Sequence, residues 1–128
     1  MKKSRELAKR DTGLDALLNL DGQVLVVDEQ GGYWVKFEVR RVEVTRERPH
    51  GLKYSLSLHA KDNERLVGFD NAHAVRESAG PGGKSKAAYD HKHRLSTIRP
   101  YRYRDADVLL ADFWAEVDAV LKEKGVLP

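Results

Sequence analysis

The chain has 128 residues, enough for one domain whose single apolar core needs neither a disulfide nor a metal to fold. It contains no cysteine, which excludes disulfides, thiolate zinc sites and a cysteine nucleophile together. Its 23 lysines and arginines against 20 aspartates and glutamates leave a formal net charge of +3, so nucleic-acid binding must be argued from where charges cluster.

In chain order, Met1 to Glu6 carry no apolar stretch of a secretion signal, and no segment approaches the length of a membrane span. The expectation is a cytoplasmic protein without membrane contact. Leu7, Leu14, Leu17 and Leu18 are spaced for one or two short helices between Ser4 and Leu20, with Gly13 as a break. Asp21-Gly22 makes a turn, Gln23 to Asp28 a short apolar strand and Glu29 to Gly32 a hairpin turn. Tyr33, Val35, Phe37 and Val39 alternate with Trp34, Lys36, Glu38 and Arg40, the period of a half-buried strand. Consecutive Arg40 and Arg41 interrupt the alternation before Val42 and Val44 resume it, which predicts a β-bulge there.

A polar turn from Arg46 to Gly51 takes in His50. Leu52, Tyr54, Leu56, Leu58 and Ala60 then alternate with polar residues in a third strand that places His59 on its solvent side. The turn Lys61 to Glu64 returns the chain as a fourth strand, Arg65 to Asp70, with Asp70 and Asn71 at its carboxyl end. Connections this short make neighbouring strands antiparallel. Ser78 to Ala87 reads as a mobile loop. Its Gly83-Lys84-Ser85 is not a P-loop, because the position of the leading glycine holds Ser78. Near Leu95 to Pro100 the pattern allows a fifth strand. Asp105 then caps a helix with the apolar stripe Leu109, Leu110, Phe113, Val117, Val120 and Leu121, ended by Gly125. The expected fold is a single α+β domain over residues 1–128, with an antiparallel four- to five-stranded sheet, an N-terminal helical segment and a C-terminal helix packed on one face.

The chemistry concentrates in two clusters, Phe69-Asp70-Asn71-Ala72-His73 and Asp90-His91-Lys92-His93-Arg94, which hold three of the five histidines. In a strand, His91 and His93 leave the same face with Cα atoms roughly 7 Å apart, while Lys92 and Arg94 leave the other. Two imidazoles so placed suit acid and base catalysis near neutral pH. They equally suit metal ligation, with a third ligand from His73, Asp70 or Asp90. The loop is long enough to bring Asp70, Asn71 and His73 together with His91 and His93 in one site. Around them lie Lys84, Lys86, Lys92, Arg94, Arg99, Arg102 and Arg104, interleaved with Tyr89, Tyr101 and Tyr103. Such a segment reads either as an RNA-facing surface or as a solvated basic loop whose tyrosines pack on the core.

The order Gly68-Phe69-Asp70-Asn71, His73, Asp90-His91-Lys92-His93-Arg94, an aromatic-proline turn and the Leu109 to Trp114 helix resembles the TumE family of toxin-antitoxin proteins over roughly Val67 to Val117. Asp90 stands where many relatives carry another histidine. The resemblance implies a small cytoplasmic toxin encoded beside an antitoxin, with a helix-turn-helix protein as the expected partner. Joined to the residue chemistry, it gives the leading expectation of a metal-independent ribonuclease. His91 and His93 would transfer protons, with His73 a third candidate and Asp70 orienting one imidazole. Lys84, Lys86, Lys92, Arg94, Arg99 and Arg102 would contact RNA. Two alternatives stay open: a non-catalytic RNA- or protein-binding module, and a hydrolase using a divalent metal at His91 and His93.

Overall fold

The computed structural model describes residues 13–71, 90–95 and 97–128. The expected helical segment from Ser4 to Thr12 lies outside them, as do His73, the Ser78 to Ala87 loop and Tyr89. Within them, six strands hydrogen-bond in sequence order into one antiparallel sheet: β1 (Val24–Val26), β2 (Tyr33–Arg41), β3 (Leu52–Ala60), β4 (Arg65–Asp70), β5 (His91–Arg94) and β6 (Thr97–Pro100). A short helix α1 (Leu14–Asn19) precedes the sheet and the long helix α2 (Ala106–Glu123) follows it.

The alternating patterns of β2 and β3 decide which side of the sheet is core. Val35, Phe37 and Val39 bury beside Leu52, Tyr54, Leu56 and Leu58, and across β4 the same face continues as Val67 and Phe69. Helix α2 covers this face because its stripe of Ala106, Leu109, Phe113, Val117, Val120 and Leu121 is buried there. Phe113 sits edge-on to Phe37 and Phe69, with ring centroids 5.9 and 6.0 Å away. The Asp105 carboxylate accepts the Val108 N–H at 2.8 Å to start the helix, and Gly125 takes a φ of +75° to end it. Leu17 of α1 joins the same core.

Residues directly opposite each other across a ladder share a face. One such row runs Lys36, Ser57, Gly68, His93 and Ile98; the next runs Glu38, Ser55, Asp70, His91 and Pro100. Both rows lie on the side turned away from α2. Between them, the row Phe37, Leu56, Phe69, Lys92 and Arg99 faces the helix.

Three local expectations change. The sheet has six strands because the polar segment His91 to Arg94 is itself a strand, and its hairpin partner begins only at Thr97. No bulge forms at Arg40 and Arg41, which pair in register with Lys53 and Leu52; Val42 leaves the strand while its N–H still reaches the Gly51 carbonyl at 2.9 Å. The register shift falls instead between Leu58 and His59, where β4 spends the extra residue Leu66 to bury one more leucine.

Candidate functional site

β4 and β5 pair with Asp70 opposite His91 and Gly68 opposite His93, so the antiparallel ladder itself delivers a carboxylate and two imidazoles to one place. His91 Nε2 lies 3.0 Å from Asp70 Oδ1, and His93 Nε2 lies 3.7 Å from Asp70 Oδ2. The two imidazole rings meet edge to face with centroids 4.8 Å apart. Asp70 and His91 are buried, and His93 is the more accessible of the three. Despite the 3.0 Å approach of His91, no donor is aligned on Asp70 Oδ1 among the described residues. At this distance His91 still supports the ionised carboxylate.

Burial alone raises the Asp70 carboxyl, but the adjacent His91 and the positive charges of His91, His93 and Arg65 outweigh it and hold the group below its ordinary value. For His93, burial comes first and lowers its basicity, reinforced by Arg65 and His91; Asp70 opposes this only in part. An ionised carboxylate beside a neutral imidazole is the resulting state near neutral pH.

Arg65 belongs to this site and the sequence reading omitted it. Its guanidinium lies 3.8 Å from Asp70 Oδ2 and is partly exposed. Asn71, expected in the cluster, does something else: its side-chain oxygen accepts the Tyr54 N–H at 2.9 Å and its amide donates to the Leu52 carbonyl at 2.8 Å. It clamps β3 to the end of β4. Asp90 leaves the α2 side of the sheet, where its carboxylate accepts the Tyr54 hydroxyl at 2.6 Å. Burial raises the Asp90 carboxyl more than that hydrogen bond and the nearby His50 lower it. Tyr54, pushed strongly up by burial and by Asp90, remains a donor.

Lys92 and Arg94 also face α2. Lys92 is 3.8 Å from Glu116, and Arg94 pairs with Glu116 at 3.3 Å and with Glu123. Arg99 shares a shallow cavity with them, Leu95, Thr97 and Glu116. Arg102 is exposed beyond β6. Lys84 and Lys86 lie outside the described residues. His50 is the exposed turn residue expected and packs on Tyr103, with ring centroids 4.5 Å apart. His59 lies on the face turned away from α2, as expected, where it is half-buried by stacking on Trp34 and stands 2.9 Å from the Ser57 hydroxyl.

Over residues 19–121, which take in the whole sheet and nearly all of α2, the chain matches the family described as Toxin TumE, and it belongs to that family. It is therefore the toxin of a toxin-antitoxin system, which implies an antitoxin partner. Asp70, His91, His93 and Arg65 all fall inside the matched span. No curated protein and no solved structure matches the chain significantly. No helix among the described residues is long and apolar enough to cross a membrane.

Proposed function

We propose that this toxin acts on RNA as an endoribonuclease, with Asp70, His91 and His93 at the reaction centre and Arg65 contacting phosphate. The observation that carries this reading is the convergence of the three side chains from adjacent strands within one small cluster. In-line displacement at phosphorus puts the attacking and leaving oxygens on opposite sides. His91 and His93 both turn toward one carboxylate, so they serve one oxygen together instead of straddling the phosphate as base and acid. That oxygen is the attacking 2′-hydroxyl. Its proton goes to the cluster, the bond from O2′ to phosphorus forms, the bond from phosphorus to O5′ breaks, and the leaving oxygen takes a proton from solvent. The products are a 2′,3′-cyclic phosphate and a 5′-hydroxyl. Arg65 balances charge that builds on the phosphate oxygens. An antitoxin of the helix-turn-helix kind would silence the toxin by covering this surface.

The test is expression without antitoxin, followed by incubation of the purified protein with RNA and with the same strand carrying 2′-deoxy substitutions. Growth arrest, cleavage of RNA only, and loss of both in His93→Ala are expected. Intact RNA under all metal conditions, with His93→Ala as toxic as the parent, would overturn the reading and leave a non-catalytic binding module.

A further inference from the structure

Asp70 poses an electrostatic problem. Its carboxylate is 2% exposed, and Oδ1 has no aligned donor among the described residues although an imidazole nitrogen stands 3.0 Å away. A buried carboxylate oxygen without a donor is costly. Two ligand-type atoms this close can share one ion as a third partner. One ring nitrogen from each of His91 and His93 and one oxygen of Asp70 all lie within 4.8 Å of one another.

These separations are near those of a ligand set. Donors bound at about 2.0–2.1 Å to one ion stand about 3 Å apart at adjacent positions, which is the spacing of the His91 nitrogen and the Asp70 oxygen. His93 Nε2, 3.7 Å from the second carboxylate oxygen and only partly buried, would reach the same ion by a turn of its ring. The donor types are two imidazoles and one carboxylate, the borderline set taken by first-row divalent ions with positions left open for substrate. The frame is rigid, because all three residues lie on the paired strands β4 and β5. Arg65 at 3.8 Å holds the other carboxylate oxygen from outside the set. Asp90 cannot join, since it leaves the opposite face and accepts from Tyr54.

We propose that Asp70, His91 and His93 bind one first-row divalent transition ion. This deepens the RNA reading by naming the cofactor of the same site, through which the cluster would activate the attacking oxygen. The binding claim itself is tested without RNA.

The experiment uses the full chain, freed of metal by chelator and dialysis, titrated with Zn²⁺ by calorimetry and with Co²⁺ by visible absorption. One equivalent is expected to bind, with the ring-nitrogen NMR signals of His91 and His93 shifting together. His93→Ala should weaken binding at least tenfold (~10–100-fold for perturbed sites), while His50→Ala, in the exposed turn where it packs on Tyr103, leaves it unchanged. Asp70→Asn should abolish binding; if that variant unfolds, His93→Ala and the NMR shifts carry the test. Absence of binding at about 1 mM Zn²⁺, or binding undiminished in His93→Ala with native circular dichroism, overturns the proposal. RNA cleavage persisting in chelator without ion uptake removes the metal and leaves the RNA reading. Ion uptake with intact RNA does the reverse.

Discussion

Arg65 lays its side chain across Gly68 and brings its guanidinium within 3.8 Å of the Asp70 carboxylate. On a regular strand, residues five apart face opposite sides. The shift opposite Leu58 and His59 makes Leu66 the extra residue and puts Arg65 on the same face as Asp70. A side chain at position 68 would press on Arg65: a Cβ there would stand 3.3 Å from Arg65 Cδ and 3.4 Å from its Nε and one terminal nitrogen.

Gly68→Ala is therefore expected to keep the fold, because the crowded atoms belong to a flexible side chain, and to dislodge Arg65 from Asp70. RNA cleavage should fall to about the level of Arg65→Ala. The double variant should be no worse than Arg65→Ala alone, since both changes remove the same contact. Additive losses in a double-mutant cycle would show that Gly68 acts through something other than Arg65.

Asn71 and His93 should separate structure from chemistry. Asn71→Ala leaves the Tyr54 N–H and the Leu52 carbonyl buried without their partner, which costs about 2–6 kcal/mol at ~1–3 kcal/mol per group. Urea unfolding should show this as a lower midpoint with an unchanged slope. His93→Ala should move the midpoint far less. Equal destabilisation by the two would make the histidine a structural residue.

The contrast between these residues marks how far the sequence could be read. Alternation in Tyr33 to Arg40 and in Leu52 to Ala60, the capped helical stripe from Asp105 and the short turns were enough for an antiparallel sheet under one helix. Strand parity gave the shared face of His91 and His93, and the length of the loop between the clusters gave their meeting with Asp70. Arg65 was hidden because a bulge reverses parity without any local signature. Asn71 was misplaced for a different reason. Its side chain satisfies backbone groups 17 and 19 positions earlier in the chain, and no spacing rule reports that.

Acid should destabilise the protein in two stages. Burial, with Arg65 and His91, holds His93 below its ordinary 6.5, and burial first also lowers His59. The unfolded chain thus takes up more protons than the folded one as pH drops through 6.5, and stability falls. Asp70 is held below its ordinary 3.8, so its contribution is full above that value and is lost as pH falls further. Urea midpoints measured from pH 8 to pH 3 should show both declines. His59→Gln and His93→Gln should flatten the upper one; a profile flat between pH 7 and 5 in the parent would contradict it.

Leu95 turns between β5 and β6 with a φ of +54°, a left-handed conformation unfavourable for a leucine that is 47% exposed and gains little from burial. Its N–H holds the Leu66 carbonyl at 2.8 Å, which any residue can supply. Leu95→Asn is expected to stabilise by about 1 kcal/mol, because asparagine tolerates this region and suits tight hairpins. Thermal denaturation should show a melting temperature higher by a few degrees. A decrease would mean that the leucine side chain makes packing contacts that outweigh the strain.

The basic residues near β5 and β6 should differ in their effect on RNA according to their partners. Arg94 is tied to Glu116 and Glu123, and Lys92 lies against Glu116, so both charges are largely spent on holding α2 to the sheet. Such partly exposed pairs contribute roughly 0–1 kcal/mol each. Arg99 and Arg102 are exposed and have no ion-pair partner among the described residues, and Arg99 sits on the edge strand next to the one that carries His91 and His93. An RNA backbone following that edge would meet them on its way to the cluster. Each phosphate contact removed lowers the slope of log affinity against log salt by about 0.7 for a single strand. Arg99→Ala and Arg102→Ala are therefore expected to reduce that slope by about 0.7 each, measured by fluorescence anisotropy with a labelled strand, whereas Arg94→Ala should leave the slope unchanged and lower stability slightly. A slope that falls in Arg94→Ala but not in Arg99→Ala or Arg102→Ala would show that the RNA does not follow the β6 edge.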